Sequence, residues 1–256
     1  MDKTKIDLGA LIIALIALVQ PWIIYLWKRF IKPGSVEFFQ TGTIEIGFSD
    51  YASTIGINGT LRAMDKDFYI SGISVELIKE KDSSRHFFDW AVFRDTKISL
   101  SGKNDMDVEL PYGILITTQS PERINIQFHD RKQQEEINPI YNNLSSHWLD
   151  FLKKKNPRNI IDSDYNTNEA FDEFSKDIVM TNSYTNINRE FYWDKGNYSL
   201  TLKVLTSKPN KVFINNFKFS LTEDECKMLR YNIITLTDLA CEQNRSNWNF
   251  IYVNYK

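Results

Sequence analysis

Residues 54–63, which read TIGINGTLRA, decide the fold class of this chain. Their apolar side chains keep one parity: Ile55, Ile57, Leu61 and Ala63. Because successive side chains of a strand point to opposite faces, this spacing is typical of a strand with one buried face. Asn58-Gly59 fits a two-residue hairpin turn, but the unbroken parity fits an irregular strand or a bulge as well.

Segments with the same alternation lie on both sides of this stretch. In residues 67–78 the apolar parity changes between Ile70 and Ile73, which predicts a bulge at Ser71-Gly72. Further strands are predicted at HFFDWAVF, GILITT, INIQFH and SLTLKVL. Apolar residues make up 42% of the chain, enough to cover a substantial core. The pattern predicts a mainly antiparallel, β-sandwich-like domain.

A helical pattern replaces the alternation from residue 130 onwards. Asn138 and Pro139 fit the N-cap and the first position of a helix, and the lysine run 153–155 lies where a helix dipole favours cations. A second short helix is predicted over residues 168–178. We therefore interpret residues 131–189 as a helical insertion within a single domain of residues 34–256.

The C-terminal part predicts a helix followed by a strand, which makes the fold class α+β. Thr222 and Glu225 have the spacing of a capping box, and the helix is predicted to run to about Gln243. Cys226 and Cys241 lie fifteen residues apart on it, about 22 Å along the axis, too far apart for a disulfide. Because no His or Cys nearby completes a metal site, buried thiols are the favoured interpretation.

The N-terminal part contains twenty residues without a formal charge, 8–27, which read LGALIIALIALVQPWIIYLW. As a helix they rise about 30 Å, the thickness of a bilayer core, and no cleavage-site pattern follows them. We therefore predict that residues 1–33 form a single transmembrane anchor. The predicted interface residues are Trp22, Tyr25, Trp27, Lys28, Arg29 and Lys32.

Positive charges suggest the orientation of this anchor. Three follow the apolar run and two, Lys3 and Lys5, precede it, which favours the amino terminus outside and the main domain in the cytoplasm. The chain has only two cysteines, which agrees with a cytoplasmic main domain, because domains in oxidising compartments often carry disulfides. Four N-glycosylation sequons suggest the opposite side of the membrane. Small and polar residues recur on one face of this helix and predict that it self-associates: Ala10, Ala14, Ala17 and Gln20. The alternative is that alanine is simply common in membrane helices.

One acidic segment has the spacing of a calcium loop. Asp162, Asp164, Asn166 and Glu173 stand at positions one, three, five and twelve of an EF-hand. Position six, where the loop requires glycine, is Thr167. Two interpretations of this segment therefore remain: a Ca²⁺ site, or a solvated, Asn-rich start of a helix. No other cofactor is predicted.

A short motif resembles a known family. Residues 194–200, which read DKGNYSL, resemble the D-x-G-x-Y-x-C tyrosine corner of immunoglobulin-like domains. Leu200 stands where antibody domains have cysteine. The resemblance implies a sandwich corner at which Tyr198 bonds back to the backbone.

Catalytic motifs are missing from the sequence. It has no G-x-S-x-G, H-E-x-x-H, C-x-x-C or phosphate-binding glycine loop. His86 with Asp89, or His129 with Asp130, would make a base and its orienting carboxylate, but neither pair comes with a nucleophile, so structural roles are favoured. The net charge of −2 argues against a nucleic-acid partner.

Three functional hypotheses follow from these patterns. The first is a non-enzymatic, membrane-anchored protein whose cytosolic sandwich binds a protein partner or a small signal at the lipid bilayer. The alternative is a membrane-disrupting effector of a bacterial defence or toxic system, acting through oligomerisation of its N-terminal helix. The third is a hydrolase without a recognisable motif.

Overall fold

A computed structural model describes residues 8–27, 34–98, 104–155, 167–243 and 247–256. The helices are α1 Leu8–Leu26, α2 Arg131–Lys155, α3 Thr167–Phe174, α4 Ile178–Glu190 and α5 Glu223–Ala240. The strands are β1 Ser35–Gln40, β2 Ile44–Ser49, β3 Ala52–Met64, β4 Phe68–Lys79, β5 Arg85–Ile98, β6 Asn104–Glu109, β7 Ile114–Ile116, β8 Glu122–His129, β9 Gly196–Lys208, β10 Asn210–Leu221 and β11 Ile251–Val253.

The eleven strands of the described residues form one antiparallel sheet that curls round on itself. Its order is β10-β9-β4-β5-β8-β3-β2-β11, with β1 on β3, β6 on β5 and β7 on β4. The two ends of this order meet, because the backbones of Lys218 and Lys256 exchange two hydrogen bonds of 2.9 and 3.2 Å. The predicted β-sandwich is therefore wrong. Register shifts in β4 and β5 bend and twist these strands, so that one sheet coils instead of two sheets stacking.

The stretch that predicted the fold class is a single strand. Residues 54–63 lie within β3, where Asn58 pairs with Asn125 of β8, so Asn58-Gly59 is not a hairpin turn. A side chain at Gly59 would collide with the ring of Phe38, which explains the glycine. The hairpin is therefore wrong, and the predicted irregularity or bulge is not seen either, because β3 pairs with β8 without a register shift. The bulge predicted at Ser71-Gly72 is confirmed by the register shift between Ile70 and Gly72.

Two groups of buried side chains stabilise the domain. The larger one joins the sheet to α5 and to single residues of α2 and α4, and the smaller one lies among α2, α3, α4 and the C-terminal end of α5. Trp148 of α2 is the centre of the smaller group, where its ring contacts Phe151, Phe171 and Phe174. The helices between β8 and β9 therefore form a second core beside the sheet, together with Ala240 and Cys241 at the end of α5.

The first of these helices begins earlier than the sequence pattern predicts. The carboxylate of Asp130 accepts the backbone N–H of Gln133 at 3.0 Å, which caps α2 directly after β8. Helix α2 therefore starts at Arg131 rather than at Pro139, which lies inside it. The second predicted helix, 168–178, also has different bounds, because α3 ends at Phe174. A separate helix, α4, then starts at Ile178 with Asp177 as its N-cap.

The predicted capping box and buried thiols of α5 are confirmed, whereas the helix ends at Ala240, with Cys241 as its C-cap, rather than at about Gln243. Thr222 and Glu225 form a reciprocal capping box, with Glu225 N donating to Thr222 Oγ1 at 3.3 Å and Thr222 N donating to Glu225 Oε2 at 2.7 Å. Cys226 and Cys241 are buried and free. Burial raises the pKa of Cys226 to about 11 and that of Cys241 to about 12, so both remain thiols at neutral pH.

The capping box makes a measurable contribution to stability. We expect Thr222→Ala to lower the free energy of unfolding by about 1 kcal/mol, because the backbone N–H of Glu225 loses its acceptor and the Glu225 carboxylate loses the hydroxyl of Thr222. Urea unfolding measures the difference. Thr222→Ser keeps the hydroxyl and is the control; a loss as large as that of Thr222→Ala would show that the methyl group, not the cap, matters.

The hydrogen bond implied by the tyrosine-corner resemblance is present. Tyr198 donates its hydroxyl to the carbonyl oxygen of Asp194 at 2.6 Å and accepts the backbone N–H of the same residue at 2.9 Å. The contact holds the start of β9 against the residues before it. Membership of the immunoglobulin-like family stays a prediction.

The predicted membrane anchor is not borne out. Across the described residues, no helix combines the length and the apolarity that a membrane crossing requires. The apolar sequence of α1 contains Gln20 and Pro21, and the uninterrupted apolar run before them, residues 8–19, rises only about 18 Å as a helix, against the ~30 Å of a bilayer core. The single-pass anchor of residues 1–33 and the localisation and orientation derived from it are therefore wrong.

Helix α1 nevertheless exposes its large apolar side chains, from 39% at Val19 to 71% at Leu18. Of the predicted interface set, Trp22, Tyr25 and Trp27 are exposed, whereas Lys28, Arg29 and Lys32 lie outside the described residues. Because the predicted membrane anchor is wrong, the assignment of these residues to a membrane interface has no support. Self-association through Ala10, Ala14, Ala17 and Gln20 stays a prediction.

Candidate ligand-binding cleft

A row of side chains crosses five strands on the face opposite to the buried Ile46, Ile55 and Phe128. In the sheet register, Tyr252 of β11 lies beside Glu45 of β2, Glu45 beside Gly56 of β3, Gly56 beside Gln127 of β8, and Gln127 beside Val92 of β5. The middle of the row is a glycine. The sheet therefore has a depression there, with longer side chains on both sides.

A cavity of about 780 Å³ lies over this depression. Its volume is typical of small-molecule sites. We call it the Gly56 cleft and define it by its lining: Glu45, Tyr51, Ala91, Val92, Arg94, Val108, Leu110, Gln127, His129, Arg131, Gln134, Phe250 and Tyr252.

An ion pair crosses the floor of the cleft. Arg94 Nη1 donates to Glu45 Oε1 at 2.8 Å, and the two side chains are only 11% and 14% exposed. The guanidinium lies where a side chain at Gly56 would stand, so glycine is needed to admit it. Arg94 Nε is buried and has no hydrogen-bond partner. The arginine is thus held in place with part of its donor capacity unused.

A buried imidazole forms one wall. His129 is 8% exposed, its ring stacks on that of Tyr51 with centroids 4.7 Å apart, and its Nε2 has no hydrogen-bond partner. Burial, with smaller contributions from Arg131 and Arg94, lowers the pKa of His129 to about 4. The ring is therefore neutral at pH 7, with one donor and one acceptor nitrogen.

The structure pairs the histidines differently from the sequence predictions. His86 Nδ1 lies 3.7 Å from Asp130 Oδ2 rather than beside Asp89, and its ring stacks on Tyr192, which donates its hydroxyl to the same carboxylate at 3.1 Å. Asp130 is thereby engaged by α2 and Tyr192 rather than by His129. In the part of the chain that the structure describes, neither imidazole is hydrogen-bonded to a hydroxyl or thiol. These contacts between His86, Tyr192 and Asp130 are typical of structural packing between β5, the start of α2 and the residues after α4.

The predicted calcium ligands lie mostly outside the described residues. This holds for Asp162, Asp164 and Asn166, whereas Glu173 is in α3 and pairs with Lys155 at 2.7 Å. Among the residues that are described, no group of three or more His, Cys, Asp or Glu side chains is arranged to hold a metal ion. Calcium binding stays a prediction.

Sequence reasoning missed the residues of the Gly56 cleft other than His129. They come from β2, β5, β6, β8, β11 and α2 and from three residues between elements, Tyr51, Leu110 and Phe250, and they share no motif. The signal available was an isolated glycine inside a strand, which indicates close approach of another group. Gly47 and Gly56 both have this character: a side chain at Gly47 would collide with the ring of Phe250, which lines the cleft.

Comparison with known proteins gives no family for this chain: no family model matches it, and neither does any curated protein.

Proposed function

We propose that the protein is a non-enzymatic binding module and that its Gly56 cleft receives a planar group next to a carboxylate or phosphate. The observation that carries the proposal is that two residues lining one cavity, His129 and Arg94, each have a buried nitrogen without a hydrogen-bond partner, Nε2 and Nε. A buried polar group without a partner costs about 1–3 kcal/mol. A ligand that satisfies such groups recovers part of that cost.

The aromatic lining supports the planar part of the ligand. Tyr51, stacked on His129, is 48% exposed, and Tyr252 is 61% exposed. Both rings line the cleft beside apolar side chains of β5 and β6. Aromatic rings pack favourably against flat groups and give a large contact area. A planar ring of a ligand that lies between Tyr51 and Tyr252 displaces water from both tyrosine rings.

The charges of the lining support the anionic part. Arg94 and Arg131 are cationic, Glu45 is the one carboxylate in the lining, and His129 is neutral at pH 7. A guanidinium presents five N–H donors in a planar fork that matches a carboxylate or phosphate. Because Arg94 is already oriented by Glu45, little side-chain entropy is lost when it meets an anion.

The proposal is tested by titration calorimetry with three matched probes on the full chain. Indole-3-acetate carries both a planar group and an anion, indole-3-acetamide only the planar group, and acetate only the anion. We expect indole-3-acetate to bind about 10-fold or more tightly than either of the others, since a charge-assisted hydrogen bond contributes about 1.5–3 kcal/mol. Equal binding of all three, or none, contradicts the proposal.

Two variants of the ion pair have opposite expected effects on this binding. Arg94→Met lowers the affinity for indole-3-acetate about 10-fold or more, because the anion loses its partner. Glu45→Gln raises it, because the carboxylate no longer competes for Arg94. General damage to the fold would weaken binding in both variants. Arg85→Met, on the same strand but 64% exposed and outside the cleft, is the matched control and leaves the affinity unchanged.

A further inference from the structure

A second cavity adjoins the Gly56 cleft on the other side of Arg94. It has a volume of about 660 Å³, and we call it the Asn125 cavity. It is lined by Thr41, Gly42, Asn58, Gly59, Phe93, Arg94, Glu109, Tyr112, Ile114, Glu122, Arg123, Ile124 and Asn125. Arg94 belongs to both linings, so its side chain is the boundary between them.

We infer that the two cavities form one groove for an extended peptide segment of a partner protein, with its main chain along β8 and an acidic side chain on Arg94. The inference rests on the proposed function, because it uses the same cleft. It adds the class of ligand and a second subsite.

The first argument is the spacing of carboxamides along the groove. Asn125 and Gln127 are two residues apart on β8, and Asn58 lies opposite Asn125 on β3. Side chains at this spacing on a strand repeat every ~6.8 Å, which is also the repeat of main-chain groups along one side of an extended peptide. Carboxamides offer both donors and acceptors, as the peptide main chain requires.

The second argument is an acceptor without a partner. Asn125 Oδ1 is buried and accepts no hydrogen bond. Together with His129 Nε2 and Arg94 Nε, it makes three buried polar atoms without partners in one line of residues across the two cavities. A ligand confined to the Gly56 cleft does not reach Asn125, because that residue lines only the Asn125 cavity. A longer ligand that extends into the Asn125 cavity can donate a main-chain N–H to Asn125.

The third argument is the distance between the two cavities. His129 lines one and Asn125 the other, and four residues of β8 separate them, about 13 Å. Side chains at positions one, three and five of an extended peptide face the same way and span the same length. An aromatic residue at position one fits between Tyr51 and Tyr252, an acid at position three meets Arg94, and an apolar residue at position five meets Phe93 and Tyr112.

The experiment compares four acetylated, amidated peptides by calorimetry on the full chain. The probe is Trp-Ser-Glu-Ser-Leu, the shortened peptide is Trp-Ser-Glu, the neutral one is Trp-Ser-Gln-Ser-Leu, and a scrambled pentapeptide is the reference. We expect the probe to bind about 10-fold or more tightly than the other three, since two or more additional hydrogen bonds and one charge-assisted bond distinguish it from them.

Variants of the Asn125 cavity separate this inference from the proposed function. We expect Asn125→Ala and Asn58→Ala to weaken the pentapeptide about 5-fold while leaving indole-3-acetate and the tripeptide unchanged, which also shows that the variants are folded. Asn143→Ala, exposed on α2, is the control. Equal affinities of tripeptide and pentapeptide, with indole-3-acetate still bound, would overturn the inference and leave the proposed function standing. If neither indole-3-acetate nor any peptide binds, both are overturned.

Discussion

Replacing Asn232 by alanine lowers the free energy of unfolding by about 3–5 kcal/mol, the largest effect that we expect of any single polar substitution here. Asn232 is fully buried in α5. Its Nδ2 donates to the carbonyl oxygens of Phe48 and Asn249, each at 2.8 Å. Its Oδ1 accepts the backbone N–H of Asn249 at 2.8 Å and the side-chain amide of the same residue at 3.1 Å. Alanine leaves these groups without partners in or near the core.

Urea unfolding measures this loss. Asn143→Ala, an exposed substitution on α2, is the matched control and changes stability by less than about 0.5 kcal/mol. Asn232→Asp keeps the acceptor for Asn249 but loses both donors, and we expect it to be destabilising as well. A loss below about 1 kcal/mol for Asn232→Ala would mean that water replaces the amide and that the contact does not hold the C-terminal segment.

The same substitution reaches the cleft. Asn249 precedes Phe250 and Tyr252, which line one side of the Gly56 cleft. Because Asn232 fastens this segment to the end of β2, its loss frees the aromatic wall. We expect residual folded Asn232→Ala protein to bind indole-3-acetate more weakly than the parent does.

Acid destabilises the protein through His129. Its pKa is about 4 in the folded state against 6.5 in the unfolded state. Between these values the unfolded chain binds a proton that the folded chain does not, so stability is complete above pH 6.5 and falls as the pH decreases towards 4. At 1.36 kcal/mol per unit, the contribution of this residue reaches up to about 3 kcal/mol.

The measurement is the free energy of unfolding at pH 7, 6, 5 and 4.5 for the parent and for His129→Gln. The variant has no imidazole to protonate at this position, so we expect its stability to fall less steeply between pH 6.5 and 4.5. Asn143→Ala, an exposed substitution on α2 that removes no titratable group, is the control and retains the parent slope. Parallel curves for parent and His129→Gln would contradict the assignment, as would an imidazole of His129 that titrates near pH 6.5 by NMR.

Local features of the fold were predictable from the sequence because short-range physics determines them. The parity change in residues 67–78 marks the bulge in β4, and the spacing of Thr222 and Glu225 marks the start of α5. The start of α2 was missed because its cap, Asp130, directly follows the last residue of β8. The Asn138-Pro139 pair, eight residues later, looked like the stronger helix start.

Properties that depend on how elements meet were not predictable in this way. A parity pattern shows that a strand has a buried face, but not whether two sheets stack or one sheet curls, since both bury the same side chains. The uncharged run at the N-terminus was interpreted from its composition as a membrane span, whereas the structure shows no helix of that capacity in the residues that it describes.

The candidate site illustrates the same division. The sequence by itself determined several of the strands, among them β3, β5 and β8, the parity that puts Gln127 and His129 on the non-core face, and the glycine of β3. Only the tertiary structure decided that Arg94 lies over Gly56 and pairs with Glu45, because the register of four neighbouring strands sets that contact. Register follows from the total packing of the curled sheet, which no local segment encodes.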